Sequence, residues 1–225
     1  MTTMLPGTVV FDLDGTLVDT SPDLTAALNH VLVELGRPEI PAATVRSLVG
    51  HGALAMIERG LALSGGGSPA DIDRAMPAFL DFYERNICVG SRPYPGVVAA
   101  LDALAAAGTT LAICTNKPVA LSRELVAVLG WTERFAANVG GDSLPVRKPD
   151  PAHVLATIAA AGGTRADTIF VGDSIVDVTA AKTAGIPVVA VSFGFADRPV
   201  NELGADAVID HYDALLPALY ALARR

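Results

Sequence analysis

Apolar residues in this chain come in short continuous blocks that end in polar residues. "TVVFDLD" at 8–14, "TTLAICTN" at 109–116, "TIFVGD" at 168–173, "IPVVAVS" at 186–192 and "ADAVID" at 205–210 are such blocks, rich in β-branched residues. Apolar runs of this length predict strands buried on both faces, as in a parallel sheet. Between the blocks, apolar positions recur at helical spacing over Val97 to Ala107, Val119 to Leu129, Pro151 to Ala161, Ile175 to Ala184 and Tyr212 to Ala223. Strand and helix in alternation predict a doubly wound, Rossmann-like α/β domain, which binds ligands at the carboxyl ends of its strands.

Residues 20–91 follow another pattern. Ser21-Pro22 opens a helix whose stripe of Leu24, Ala27, Leu28, Val31, Leu32 and Leu35 runs until Gly36 stops it. Further helices are predicted near 42–49, 52–63 and 69–87, and no strand. The expectation is an all-helical cap over 20–91, inserted into a core made of 1–19 and 92–225. Gly65-Gly66-Gly67 follows no strand and precedes no lysine, so it reads as a connector between helices rather than a phosphate loop.

Composition adjusts this picture in three places. Hydrophobic residues are 51% of the 225 and mean hydropathy is +0.44, yet no apolar run approaches the ~18–20 residues of a bilayer span. No membrane partner is expected, and the absence of a signal-like start gives a cytoplasmic expectation. Cys88 and Cys114 make no disulfide framework. A net charge of −8 without a basic run argues against nucleic acid.

The chemistry concentrates at strand ends. "FDLDGT" places Asp12 and Asp14 two apart, on one face of an extended strand, before Gly15 turns the chain. Four specified residues match by chance in about one window per 10⁵. Acids recur after another strand, in "GDSIVD", as Asp173 and Asp177. Two carboxylates 4 Å apart repel by about 4 kcal/mol at an effective dielectric of 20, so either some are protonated or a cation sits among them. With oxygen ligands alone, Asp12, Asp14, Asp173 and Asp177 point to a hard ion, Mg²⁺. In "ICTNK", the Thr115 hydroxyl, the Asn116 amide and free backbone N–H groups could bind phosphate oxygens. Lys148, in a turn before a proline-started helix, could hold a phosphate and restrain Asp12. Lys117 reads either as an exposed helix-start residue or as part of the site.

These motifs, in this order, resemble the haloacid dehalogenase superfamily in its phosphatase branch, with a helical cap inserted after the first strand. The resemblance implies that Asp12 is a nucleophile forming an aspartyl phosphate. Asp14 would protonate the leaving alcohol, then activate water, and give its backbone carbonyl to Mg²⁺. Thr115 and Lys148 would position the phosphoryl group, Asp173 would ligate the metal directly, and Asp177 would act through water or outer contacts. "VFDLDGTLVDTSPDL", "VRSLVGHGALAMIERGL", "YPGV" and "VSFGFADRPVNELGADAVID" resemble the members acting on 2-phosphoglycolate; another sugar or amino-sugar acid phosphate is the alternative substrate. His51 stands where those members usually carry Asn, and His51 and Arg59 are the cap residues expected to meet a substrate carboxylate. A phospho-accepting receiver domain needs no helical insert and no second acid at Asp14. A phosphonatase needs a cap lysine, and no lysine precedes Lys117. The remaining expectations are a small phosphate ester as partner and a monomer or small homo-oligomer.

Overall fold

The computed structural model describes residues 5–50, 52–196 and 198–223. The first apolar block forms strand β1 (Thr8–Phe11), shorter than the block itself. Asp12 makes a last ladder bond, its N–H donating to Val171 O at 2.9 Å, and Gly15 then turns the chain at φ +82°. A side chain at Gly15 would also meet Asp173 Oδ2 at 2.4 Å, so the turn needs glycine on both counts.

The chain next passes through β2 (Val18–Asp19), which pairs antiparallel with β3 (Arg92–Pro93). Between them lie four helices, α1 (Ser21–Glu34), α2 (Ala42–Arg46), α3 (Ala53–Leu63) and α4 (Pro69–Arg85). α4 starts where the sequence asks: the Ser68 side chain accepts from Asp71 N–H, Asp71 returns the bond, and Pro69 takes the first turn. α2 stops at Arg46, short of the predicted 49, and the chain runs on to Gly50 and Gly52, both at positive φ.

The rest alternates. α5 (Val97–Ala106), β4 (Thr110–Cys114), α6 (Val119–Val128), β5 (Ala137–Val139), α7 (Pro151–Ala160), β6 (Thr168–Gly172), α8 (Ile175–Ala184), β7 (Val188–Val191), β8 (Ala207–Ile209) and α9 (Leu215–Leu222) follow in turn. Six strands form one parallel sheet in the order β5-β4-β1-β6-β7-β8, with β1 central and Thr8 opposite both Thr110 and Thr168. β5 is the strand that the apolar pattern does not predict: three residues at the sheet edge with Asn138 in the middle. The predicted helix from Tyr212 begins as a 3₁₀ turn over 212–214 before α9.

Strand alternation sorts the core into two layers. Val9 and Phe11 of β1 face α5, α6 and α9, and their apolar cluster continues into the four inserted helices through Leu13 and Leu17. Val10 faces the opposite way, against Val154 and Ile158 of α7 and Ala180 and Ala181 of α8. The sheet is thus covered on both sides, and its carboxyl ends face the four inserted helices across a cleft. No helix among the described residues is long and apolar enough to cross a membrane.

Candidate active site

Because β1 and β6 are neighbours in register, their carboxyl ends bring Asp12 and Asp173 together across the sheet. α8 adds the third acid. Ser174 caps that helix and Asp177 occupies its N3 position, where Asp177 Oδ2 accepts from the Ser174 hydroxyl at 2.6 Å and the Ser174 N–H at 3.1 Å. The capping geometry leaves Asp177 Oδ1 facing inward, where the Lys148 ammonium donates to it at 2.6 Å. The same ammonium lies 3.0 Å from Asp12 Oδ1, which also accepts from Leu13 N–H at 2.7 Å. Asp173 is held from two sides, by the Thr16 hydroxyl at 3.0 Å and Phe195 N–H at 2.6 Å.

Three buried carboxylates therefore lie together, and one ammonium, Lys148, pairs with two of them, Asp12 and Asp177. Burial pushes the Asp12 carboxyl up to about 7; Lys148 opposes the rise, and the charges of Asp177 and Asp14 add to it. Burial, then Asp177 and Asp12, hold Asp173 well above the usual carboxylate range. For Lys148, burial works against the charge, but Asp12 and Asp177 outweigh it and keep the ammonium above its ordinary range. One cation divided between two acids leaves the cluster short of positive charge. Asp12, Asp173 and Asp177 each offer an oxygen, and these atoms lie within 4.8 Å of one another. The donor set is all oxygen and over-negative, which fits one hard divalent cation.

The Asp14 side chain stands apart from that cluster. Its carboxylate pairs with the Lys117 ammonium, at 3.1 Å and 3.3 Å to the two oxygens. Lys117 Nζ also donates to the Tyr83 hydroxyl of α4 at 2.6 Å and sits 4.3 Å from the Tyr83 ring centre. Lys117 is only 6% exposed, so the solvated alternative for it fails.

The turn after β4 is more occupied than its sequence suggests. Thr115 N–H donates to Val139 O, and Lys117 N–H donates to Thr115 Oγ1, so two of the N–H groups expected to be free are not. Asn116 Nδ2 donates to Lys148 O at 3.0 Å, fastening the lysine's turn to β4, while Asn116 Oδ1 is buried with no partner among the described residues.

A cleft of about 520 Å³, part of it open to solvent, runs between these residues and the inserted helices. Asp12, Asp14, Thr115, Asn116 and Lys117 line its floor; Leu24, Val49, Met56, Phe79, Leu80 and Tyr83 line the facing wall. Arg59 is not among the lining residues: Ala53 and Met56 present α3 to the cleft, and Arg59 falls a turn beyond them. His51 lies outside the described residues, between the lining glycines Gly50 and Gly52. Arg46, which the motifs leave without a part, reaches from α2 to Asp19 at 2.8 Å and to Phe193 O at 2.7 Å, two residues before the Phe195 that holds Asp173. Its partners are far apart in sequence, and no local pattern announces them.

The chain is similar to known proteins in sequence and fold. Residues 9–191 match the family model described as haloacid dehalogenase-like hydrolase. A protein of Mesorhizobium japonicum named phosphoglycolate phosphatase is 50% identical over 92% of this chain and 92% of its own length. One of Agrobacterium fabrum with the same name is 47% identical over 94% and 91%. Among solved structures, a predicted phosphoglycolate phosphatase from Haemophilus somnus superimposes with a TM-score of 0.89 at 31% identity, covering 96% of this chain and 98% of that one. The parallel sheet, the acids at its strand ends and these likenesses together place the chain in the haloacid dehalogenase-like hydrolase family.

Proposed function

We propose that this chain is a phosphatase that hydrolyses 2-phosphoglycolate to glycolate and phosphate through an aspartyl phosphate on Asp12, with Mg²⁺ as cofactor. The observation that carries the reading is the Asp12 carboxylate at the end of β1: Lys148 and Leu13 N–H both engage Oδ1, leaving Oδ2 to attack. The relatives named for that substrate, 50% and 47% identical over more than nine-tenths of their length, support the choice of ester.

In the first step an Asp12 oxygen forms a bond to phosphorus as the bond from phosphorus to the substrate's alkoxy oxygen breaks. Asp14, oriented by Lys117, gives its proton to that leaving oxygen. In the second step water attacks the phosphoryl group, Asp14 takes the water's proton, and the Asp12 carboxylate is released with inorganic phosphate. The Thr115 hydroxyl and the Lys148 ammonium position the phosphoryl oxygens, and Asn116 fixes the turn that carries Lys148. When bound by Asp12 and Asp173, with the Asp14 carbonyl and Asp177 in support, Mg²⁺ would supply the positive charge that the carboxylates lack and stabilise the charge developing on phosphate. Lys148 is buried and tied to Asp12 and Asp177 together, so it holds the nucleophile in place.

The test is a phosphate-release screen of the purified chain over small phosphate esters with Mg²⁺. 2-Phosphoglycolate should be among the best substrates. Turnover of sugar or amino-sugar acid phosphates with none of 2-phosphoglycolate would replace the substrate, and no hydrolysis of any ester would end the reading.

A further inference from the structure

The mechanism uses Lys117 only to orient Asp14, yet its position offers more. Among the described residues lining the cleft, Lys117 is the one cationic side chain. Lys148 is committed to Asp12 and Asp177, and Arg46, Arg59 and Arg147 are not among the lining residues, although the Arg147 guanidinium comes within 3.3 Å of where a Gly52 Cβ would stand. On the facing wall the side chains of Leu24, Met56, Phe79 and Leu80 give an anion no donor, and Tyr83, the polar side chain there among the described residues, already holds Lys117. A carboxylate turned toward those apolar side chains would lose its water without gaining a partner.

We propose that Lys117 recognises the substrate's carboxylate and that Tyr83 positions its ammonium for that contact. The proposal rests on the reading of the chain as a phosphatase for a short phosphorylated acid. Asp14 must lie within hydrogen-bond reach of the leaving oxygen, roughly 2.6–3.2 Å. Lys117 Nζ lies 3.1 Å from the same carboxylate. The leaving oxygen and the ammonium thus border one group, and in 2-phosphoglycolate the carboxylate is a single carbon from that oxygen. A two-carbon acid can place its charge on Lys117 while its phosphate sits at Asp12. A longer chain would carry its charge past the lysine toward the apolar wall.

The partners of Lys117 suit exchange with such a ligand. Its third contact is the Tyr83 hydroxyl, neutral because burial, then Asp14, hold the phenol well above its ordinary range. A carboxylate arriving beside that hydroxyl adds a charge-assisted bond, stronger than the neutral one already present. Tyr83 meanwhile keeps the buried ammonium from swinging wholly onto Asp14. Specificity then comes from the core, at the residue just after Thr115 and Asn116, and the cap contributes the hydroxyl that aims it.

The experiment compares kcat/KM for 2-phosphoglycolate, for its uncharged amide and for ethyl phosphate, in the wild type and in Lys117→Met. The wild type should favour the acid over both neutral esters by at least about 10-fold, as a hydrogen bond to a charged group allows. Lys117→Met should remove that preference, mainly through KM for the acid. Taking the ratio cancels whatever the lost Asp14 contact does to the chemistry on every ester. A wild type that ignores the carboxylate would overturn the substrate reading itself. A variant that keeps the preference, or loses activity equally on all three esters, would overturn the role of Lys117 and leave the phosphatase reading standing. Should circular dichroism show Lys117→Met unfolded, Lys117→Gln takes its place and the same ratio decides. Tyr83→Phe should raise KM for the acid several-fold with a smaller effect on ethyl phosphate; equal effects would remove Tyr83 from the proposal.

Discussion

Replacing Asp12 with asparagine should end phosphate release and, in the absence of metal, make the protein more stable. The Asp12 carboxyl lies at about 7 against an ordinary 3.8, a rise of about three units caused first by burial. At 1.36 kcal/mol per unit, holding it ionised at pH 7 costs the native state about 4 kcal/mol. A carboxyl raised in the folded state binds its proton more tightly there than in the unfolded chain. Its favourable contribution is therefore present at low pH and lost as pH climbs from about 4 through about 7. Asparagine keeps Oδ1, which accepts from Leu13 N–H and faces Lys148, and removes the charge. Because Asp12 shares its repulsion with Asp177 and Asp14, about half of the full figure should appear. For a chain of this length that is a rise in Tm of roughly 4–8 °C at pH 7. Thermal melts in chelator at pH 5 and pH 7, with phosphate release measured alongside, test both parts. Equal or lower stability of Asp12→Asn at pH 7, or a gap that does not shrink toward pH 5, would refute the electrostatic argument. Release at near the wild-type rate by the folded variant would refute the nucleophile.

Three further outcomes follow from the same cluster. Chelation should abolish phosphate release and Mg²⁺ restore it, with Asp173→Asn raising the Mg²⁺ requirement more than Asp177→Asn; full activity in chelator would remove the metal from the mechanism. Lys148→Met leaves Asp12 and Asp177 buried without their cation and should cost about 3–5 kcal/mol in urea melts at neutral pH. Gly194→Ala sets a methyl 2.2 Å from Asp173 Cβ, so it should raise the Mg²⁺ requirement, read by titrating activity, with less effect on the protein's melt in chelator.

The apolar blocks made β1, β4, β6 and β7 legible because a strand buried on both faces needs no partner to be recognised; its run of Val, Ile and Leu is signal enough. "ADAVID" also gave a strand, β8, but at the sheet edge Val208 is exposed, so burial on both faces does not hold there. Asp12, Asp14 and Asp173 were legible for a related reason, since they stand at the ends of those runs, and Asp177 was legible as a second acid four residues on, in the first turn of the next helix. β5 was not, since a three-residue edge strand with Asn138 in the middle carries little pattern. Lys117 could not be settled from the chain, because what buries it is Tyr83, 34 positions away on a helix whose apolar stripe read simply as core. Asn116 was legible as a polar residue at a strand end, but its bond to the Lys148 carbonyl spans 32 positions and changes the part it plays. Local signals gave the acids, and the partners that orient them came only with the fold.

The central strand also has a consequence for how the chain assembles. β1 must pair with β4 across a loop of about a hundred residues, most of it the inserted helices. Loop-closure entropy grows only with the logarithm of length, as (3/2)RT ln n. Shortening that loop to about thirty residues would ease the pairing by only about 1 kcal/mol. The helical segment leaves and rejoins the core through the single β2–β3 ribbon, so its presence changes no strand order. A sheet built this way can host a large insertion beside its central strand at small thermodynamic cost, and the greater effect falls on folding rate, since a contact between distant residues forms slowly.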